Sequence, residues 1–279
     1  MTGFWMDIRT AFRTMGHRPL FTLTCVVTLA LGFGSVTAVF TVTDSVVLRA
    51  LPYPESDRVV RLDSGTEADG VRNASGANYL DWKEQATSFE ALAGLCTRDF
   101  NFAGVEYPIR VRGVSVTPDF FAVLGTEPAR GRILSPDVDG PGAEPAVVVG
   151  DGFWRTHLGA DPSAVGSVVQ LNGQPHTVVG VMPPGFSYPG ETTLWKSSAF
   201  RVPDPPVDIG DDPAENRGAD YFQVVGRLRQ GVGLADAQAE MTAIAARLAK
   251  EYPDPNEGVS IVVQSLRDSI IGDARPRLM

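Results

Sequence analysis

Two cysteines and three histidines in 279 residues leave little material for several kinds of chemistry. Cys25 lies inside an uncharged apolar run and Cys96 far beyond it. They cannot bridge each other, so any domain here stands on packing and not on disulfides. His17, His157 and His176 have no metal-ligand spacing. No glycine-rich loop ends in Lys-Ser or Lys-Thr, so nothing cradles nucleotide phosphates. Asp137, Asp139 and Gly140 look like a fragment of a calcium loop but lack its other ligands, which leaves a turn. No nucleophile stands beside a plausible base. These absences point away from an enzyme.

Charge is missing from one long stretch. Between Arg18 and Asp44 the chain carries none, and residues 21–40 read FTLTCVVTLALGFGSVTAVF. A helix over Leu20–Thr43 would be about 36 Å long, enough to cross a hydrocarbon core of about 30 Å. A cleaved signal has a shorter apolar region and a better small-x-small site than Val36-Thr37-Ala38, and a soluble helix of this length would carry a polar face. The stretch therefore reads as a retained membrane span over 19–48. Ala30, Gly34 and Ala38 recur every four residues, a small-residue face on which another helix could pack. Arg9, Arg13 and Arg18 precede the span against one acid, Asp7, which keeps the N-terminus cytoplasmic and sends residues after about 49 across the membrane. Within 1–18, Trp5, Ile8, Phe12 and Met15 keep the spacing of an amphipathic interfacial helix.

The exported part holds 21 of the 24 basic and 31 of the 33 acidic residues, a net charge of −10. Such a domain is a poor partner for nucleic acid or a polyanionic surface. Its pattern is α+β, with two similar halves around a middle piece. RVVRLDS (Arg58–Ser64) reads as a strand, Tyr79, Trp82, Phe89 and Leu92 as one helix face, and Tyr107–Thr117 as a second strand. The order recurs with Asp220–Gly231, a helix from Leu234 that Pro253 stops, and Gly258–Leu266. Two such units make a split βαβ, ferredoxin-like lobe over 49–117 and 218–268. Residues 118–217 form an inserted α+β lobe, in which Asn172-Gly173 between apolar alternations marks a hairpin. The stretch VPDPPVDIGDDPAENRG (Val202–Gly218) reads as a solvated acidic loop.

Several separated motifs, in order, also resemble a family. LALGFGSVTAVF with VVLRALPYPESDRVVRL (Leu29–Leu62) resembles the first membrane helix and its exit in permeases of the MacB/FtsX type, in particular the orphan permeases without a fused ATPase. SVTPDFFAVLGTEPARGRIL (Ser115–Leu134), VVQLNGQPHTVVGVMPPGFSYP (Val168–Pro189) and FQVVGRLRQGVGLADAQAEM (Phe222–Met241) resemble that family's periplasmic core domain. The chain departs from the pattern at Ser35-Val36, where members carry Ala-Asn, and at Gly233, where they carry a capping Ser.

The resemblance implies an ABC transporter permease of the bacterial inner membrane, with four membrane helices and the large periplasmic domain between the first two. It implies a porter-like role for the βαβ lobe and ATP on a separate cytoplasmic ATPase, with no cofactor in this chain. The resemblance further implies a second permease copy, the bilayer and a periplasmic adaptor as partners. The outcome would be efflux, extraction of lipid-linked cargo, or control of a wall hydrolase. Ser45–Ala50 would continue the first span as a stalk through Val47 and Leu48, stopped by Pro52 and Pro54. Residues 269–279, with Ile270 and Ile271, would begin a second stalk helix, making this chain the N-terminal piece of a longer permease. The alternative from another class is a single-pass anchored receptor or binding domain, complete as it stands.

Overall fold

The computed structural model describes residues 20, 22–24, 27–34, 53–66, 70–103, 107–210 and 212–274. The chain divides into two units, Met1–Ala50 and Leu51–Met279. In the first, residues 20, 22–24 and 27–34 are helical. Leu20, Leu31 and Phe33 point outward, while Thr24 and Thr28 return their hydroxyls to the carbonyls four residues back. Among the described residues no helix is long and apolar enough to cross a membrane. Ala30 and Gly34 lie on this helix, whereas Ala38, Val47, Leu48 and the amphipathic stretch 1–18 lie outside the described residues.

Among the described residues, the second unit is built on one sheet of eleven strands. In chain order its elements are β1 (Val59–Thr66), β2 (Gly70–Arg72), α1 (Gly76–Gln85), β3 (Phe89–Ala103), β4 (Ile109–Val116), α2 (Phe120–Leu124), β5 (Arg130–Gly131), α3 (Pro136–Asp139) and β6 (Ala146–Val149). There follow α4 (Asp151–His157), β7 (Val168–Leu171), β8 (Gln174–Val181), β9 (Leu194–Ser197), β10 (Gln223–Leu228), α5 (Leu234–Glu251), α6 (Pro253–Asn256), β11 (Ser260–Ser265) and α7 (Leu266–Ala274). The order across the sheet is β11-β1-β10-β3-β4-β9-β6-β8-β5, with β2 beside β1 and β7 bridging β3 and β8. In the first four strands each neighbour is antiparallel. The strands of β1-α1-β3 are therefore split by β10, and those of β10-α5-β11 by β1.

One expectation fails here. Phe89 and Leu92 are not on a helix. Helix α1 ends at Gln85, where the Ala86 amide bonds to Trp82 O, and the chain enters the fifteen-residue strand β3. The second strand of the first unit is thus β3, and the Tyr107–Thr117 stretch supplies its hairpin partner β4. The reason is burial on both faces. Leu92 and Cys96 face one side, Ala93 and Leu95 the other, so the apolar run shows no period of two.

One face of the sheet carries a continuous apolar layer. Val59, Val225, Leu95, Val116, Trp195 and Val148 lie under α2, Tyr53, Phe186, Tyr188 and Leu266. The other face carries two separate clusters. Leu62, Leu92, Val224 and Ile261 pack under α1 and α5, and Phe102, Val147, Val178 and Leu194 pack with Phe153 and Trp154 of α4. Between the two stand Ser115 and Lys196, register partners on β4 and β9. The expected acidic loop covers this gap, and its start is not solvated: Asp204 is buried against Lys196 at 2.5 Å and Ser115 at 2.7 Å.

Helix α5 keeps the expected spacing, burying Ala237, Met241, Ile244, Ala245 and Leu248. Gly233 has no side chain to cap with, but its amide donates to the Asp236 carboxylate at 3.3 Å, half of a capping box. The Asn172-Gly173 turn joins β7 to β8 with both residues at positive φ, as a type I′ hairpin turn demands.

Candidate functional site

The chain enters the sheet domain through Tyr53-Pro54-Glu55 and a single 3-10 turn, Ser56–Arg58, and its last described element is α7. Pro54 fixes its own φ, and Glu55 turns the chain in the left-handed region at φ 49. At the exit, β11 passes into α7 without a loop. Ser265 Oγ accepts from the Asp268 amide at 3.0 Å, which satisfies one of the free donors of the helix start.

These two passages meet. Tyr53, Val59 and Leu266 belong to one buried cluster, against which Ile270 packs as a half-buried neighbour. Tyr53 sits edge-on to Phe186 at 5.9 Å and to Tyr188 at 6.2 Å, and burial pushes its phenol pKa up. Ile270 and Ile271 both lie on α7, and Ile271 is half-exposed.

Two arginines hold the entry in place, and neither was singled out by the sequence pattern. Arg58 donates to Leu228 O through Nε at 3.0 Å and Nη2 at 2.7 Å, and pairs with Glu55 at 2.5 Å and with Glu90. Arg227, 6 % exposed on β10, donates to Val123 O at 2.8 Å and to Pro54 O at 3.2 Å and faces the Glu55 carboxylate at 3.4 Å. The signal that could have found Arg227 is its parity. It shares a face with Val225, an in-facing position where a cation must be fully bonded.

The groups that could do other chemistry are dispersed. Cys96 is buried, and that burial pushes its thiol up to about 11, far from the thiolate a nucleophile needs. His157 is packed on Phe102 and Phe153, and buried His176 has its pKa lowered by desolvation. Asp139 takes both Arg132 nitrogens and the Ser135 amide, so it closes a turn. Among the described residues no group of three His, Cys, Asp or Glu could hold a metal ion. What the fold does bring together is two chain passages, fastened to one side of a wide sheet.

The family described as MacB-like periplasmic core domain matches residues 22–244. The chain belongs to that family. No curated relative matches the sequence. Among solved structures, the MacB-like domain is similar to the periplasmic region of MacB from Actinobacillus actinomycetemcomitans. The TM-score is 0.53 at 13 % identity, over 79 % of this chain and 94 % of that one. It is also similar to the extracellular domain of the noncanonic ABC-type transporter YknZ from Gram-positive bacteria. There the TM-score is 0.51 at 13 % identity, over 74 % and 99 % of the two chains. At that identity the likeness concerns the fold, which is that of extracytoplasmic domains of membrane permeases.

Proposed function

We propose that this MacB-like chain is a permease subunit of an ABC-type transporter in the bacterial inner membrane. Residues 53–58 and 266–274 would deliver movement from the membrane to the extracytoplasmic sheet domain. The energy would come from ATP on a separate cytoplasmic ATPase, and a second permease copy would complete the transporter. The work done is efflux or the extraction of a lipid-linked cargo. One observation carries the reading: the entry and exit passages share a single buried cluster, Tyr53 and Val59 with Leu266 and Ile270. Two chain passages packed together on a rigid layer move it as a lever, whereas a tethered receptor needs only a flexible connection.

Cysteines at Val47 and Ile271 in the full chain, expressed with its ATPase in membranes, test this. The expected result is ready disulfide formation and an ATP turnover that falls on oxidation and recovers on reduction. A protein that cross-links at neither these nor adjacent positions, or whose ATP turnover ignores the cross-link, sinks the lever and favours the anchored receptor.

A further inference from the structure

We infer that Arg227 is the positioning residue of the entry junction, a three-way joint that makes the entry segment, the end of α2 and the strand β10 one body. The inference rests on the permease reading only for the origin of the movement; the joint itself is a statement about this fold.

Arg227 lies between Val59 of β1 and Ala91 of β3 in the register of the sheet. A guanidinium in that layer loses its hydration, and it is tolerated only where its donors are satisfied in good geometry. Its donors go to two stretches of chain far apart in sequence. Nε reaches Val123 O in the last turn of α2, while Nη2 reaches Pro54 O just ahead of β1. Because the fork is planar and rigid, the two carbonyls are held at a fixed separation and orientation relative to β10. The Glu55 carboxylate neutralises the charge at 3.4 Å but is 54 % exposed, so the ion pair itself adds little. The backbone carbonyls supply the constraint.

A second observation comes from the other side of the joint. Gly125 closes α2 at φ +63, and a Cβ built there would stand 2.6 Å from Arg227 Nη2. The glycine thus serves two ends: it provides the left-handed cap and leaves the space the guanidinium occupies. The end of α2 and Arg227 are fitted to each other. Displacement of Pro54 therefore pulls on β10 directly and on α2 through the same side chain, and α2 carries Phe120 and Phe121 into the continuous layer. The sheet receives the movement at an interior strand, β10, not through its loops.

Amide hydrogen exchange on the full chain in micelles tests the joint. In Arg227→Met, amide exchange at residues 55–58, Arg58 above all, and at 123–126 is expected to rise together, by tenfold or more, with α5 unchanged. Arg227→Lys keeps the charge but cannot span both carbonyls, so it should restore one segment at most. Gly125→Ala covers the case in which Arg227→Met fails to fold. A change on α2 should then raise exchange at 55–58, where a merely local disturbance would stop at 123–126. Loosening of one segment alone in Arg227→Met, full rescue by lysine, or silence at 55–58 in Gly125→Ala overturns the joint. These readouts need no ATPase, so a failed cross-linking test of the permease reading leaves them standing.

Discussion

Asp204 is an acidic residue in a proline-rich stretch, and a reading by composition places it in water. The fold places it under cover, bonded to Lys196, Ser115 and the Ala199 amide, with Ser115 Oγ in turn accepting from the Asp204 amide. Burial alone would raise its pKa. Lys196 and the hydrogen-bond donors outweigh that, and the carboxyl is held below its ordinary value. Removing the carboxylate leaves the partly buried Lys196 cation without its counter-charge, so Asp204→Asn is expected to destabilise the domain by about 3 kcal/mol, read as a lower unfolding midpoint in urea. The sign with pH follows. A depressed carboxylate contributes fully above its ordinary value of 3.8, and its contribution disappears as pH falls through the lower, folded value. Stability of the parent should drop across that window more steeply than in Asp204→Asn.

Glu240 on α5 makes a smaller case of the same kind. Its carboxylate accepts from the amides of Thr87 and Ser88 and from the Thr87 hydroxyl. Partial burial opposes ionisation, but these donors win and draw its pKa down to about 2. The staple should hold at pH 5 and weaken as pH falls from the ordinary 4.5 towards 2. Glu240→Ala should cost about 1 kcal/mol, given its exposure, and the Thr87 and Ser88 amides should exchange faster.

Among the elements, the stretch from Ser198 to Arg217 acts as a strap across the gap between the two clusters. On one side it is held at β4 and β9 through Asp204. On the other, Arg217 pairs with Asp81 at 2.5 Å and lies over the Tyr252 ring at 3.7 Å. Its path near α1 leaves no room for a side chain: a Cβ on Gly76 would come within 1.8 Å of Pro213 O. Gly76→Ala should therefore lift the strap, lower stability by about 1–3 kcal/mol and open the buried stretch around Ala214 to proteolysis, followed by mass spectrometry of the cleavage sites.

The same scale explains what could be read from residues alone. Helix α5 buries one stripe and exposes the other, so its spacing of apolar residues survives in the sequence. The β7–β8 hairpin is legible because Asn172-Gly173 needs a backbone few residues allow, and Asn172 Oδ1 further accepts from the Asn101 amide at 2.8 Å. Strand β3 was misread because both its faces are covered. The entry joint was invisible for another reason. Arg58, Glu55 and Arg227 form no short motif, and what unites them is a sheet register that pairs Val59 with Arg227.

At the scale of the whole molecule, residue 60 and residue 265 are register partners, and Gln264 bonds Asp63 across 201 positions. One edge of the MacB-like sheet is formed by pairing its first strand with its last. A chain cut before Ser260 would lack Ile261 and Val263 from the α1–α5 core and leave β1 with a bare edge. Such a truncation should be recovered largely as aggregate, checked by sedimentation of the expressed product.

The interleaving of β1 between β10 and β11 has a temporal side. Strand β1 is the first strand of the sheet to leave the ribosome, yet both of its long neighbours are the last two strands made. Its apolar residues Val59, Val60 and Leu62 find no lasting partner strand until almost the entire domain has been synthesised. Contacts of such sequence separation form slowly, because a long loop must be closed before any of them is rewarded. The domain is thus built to be finished only once β11 has emerged, and until then it depends on whatever shields an open, sticky edge in the compartment where it folds.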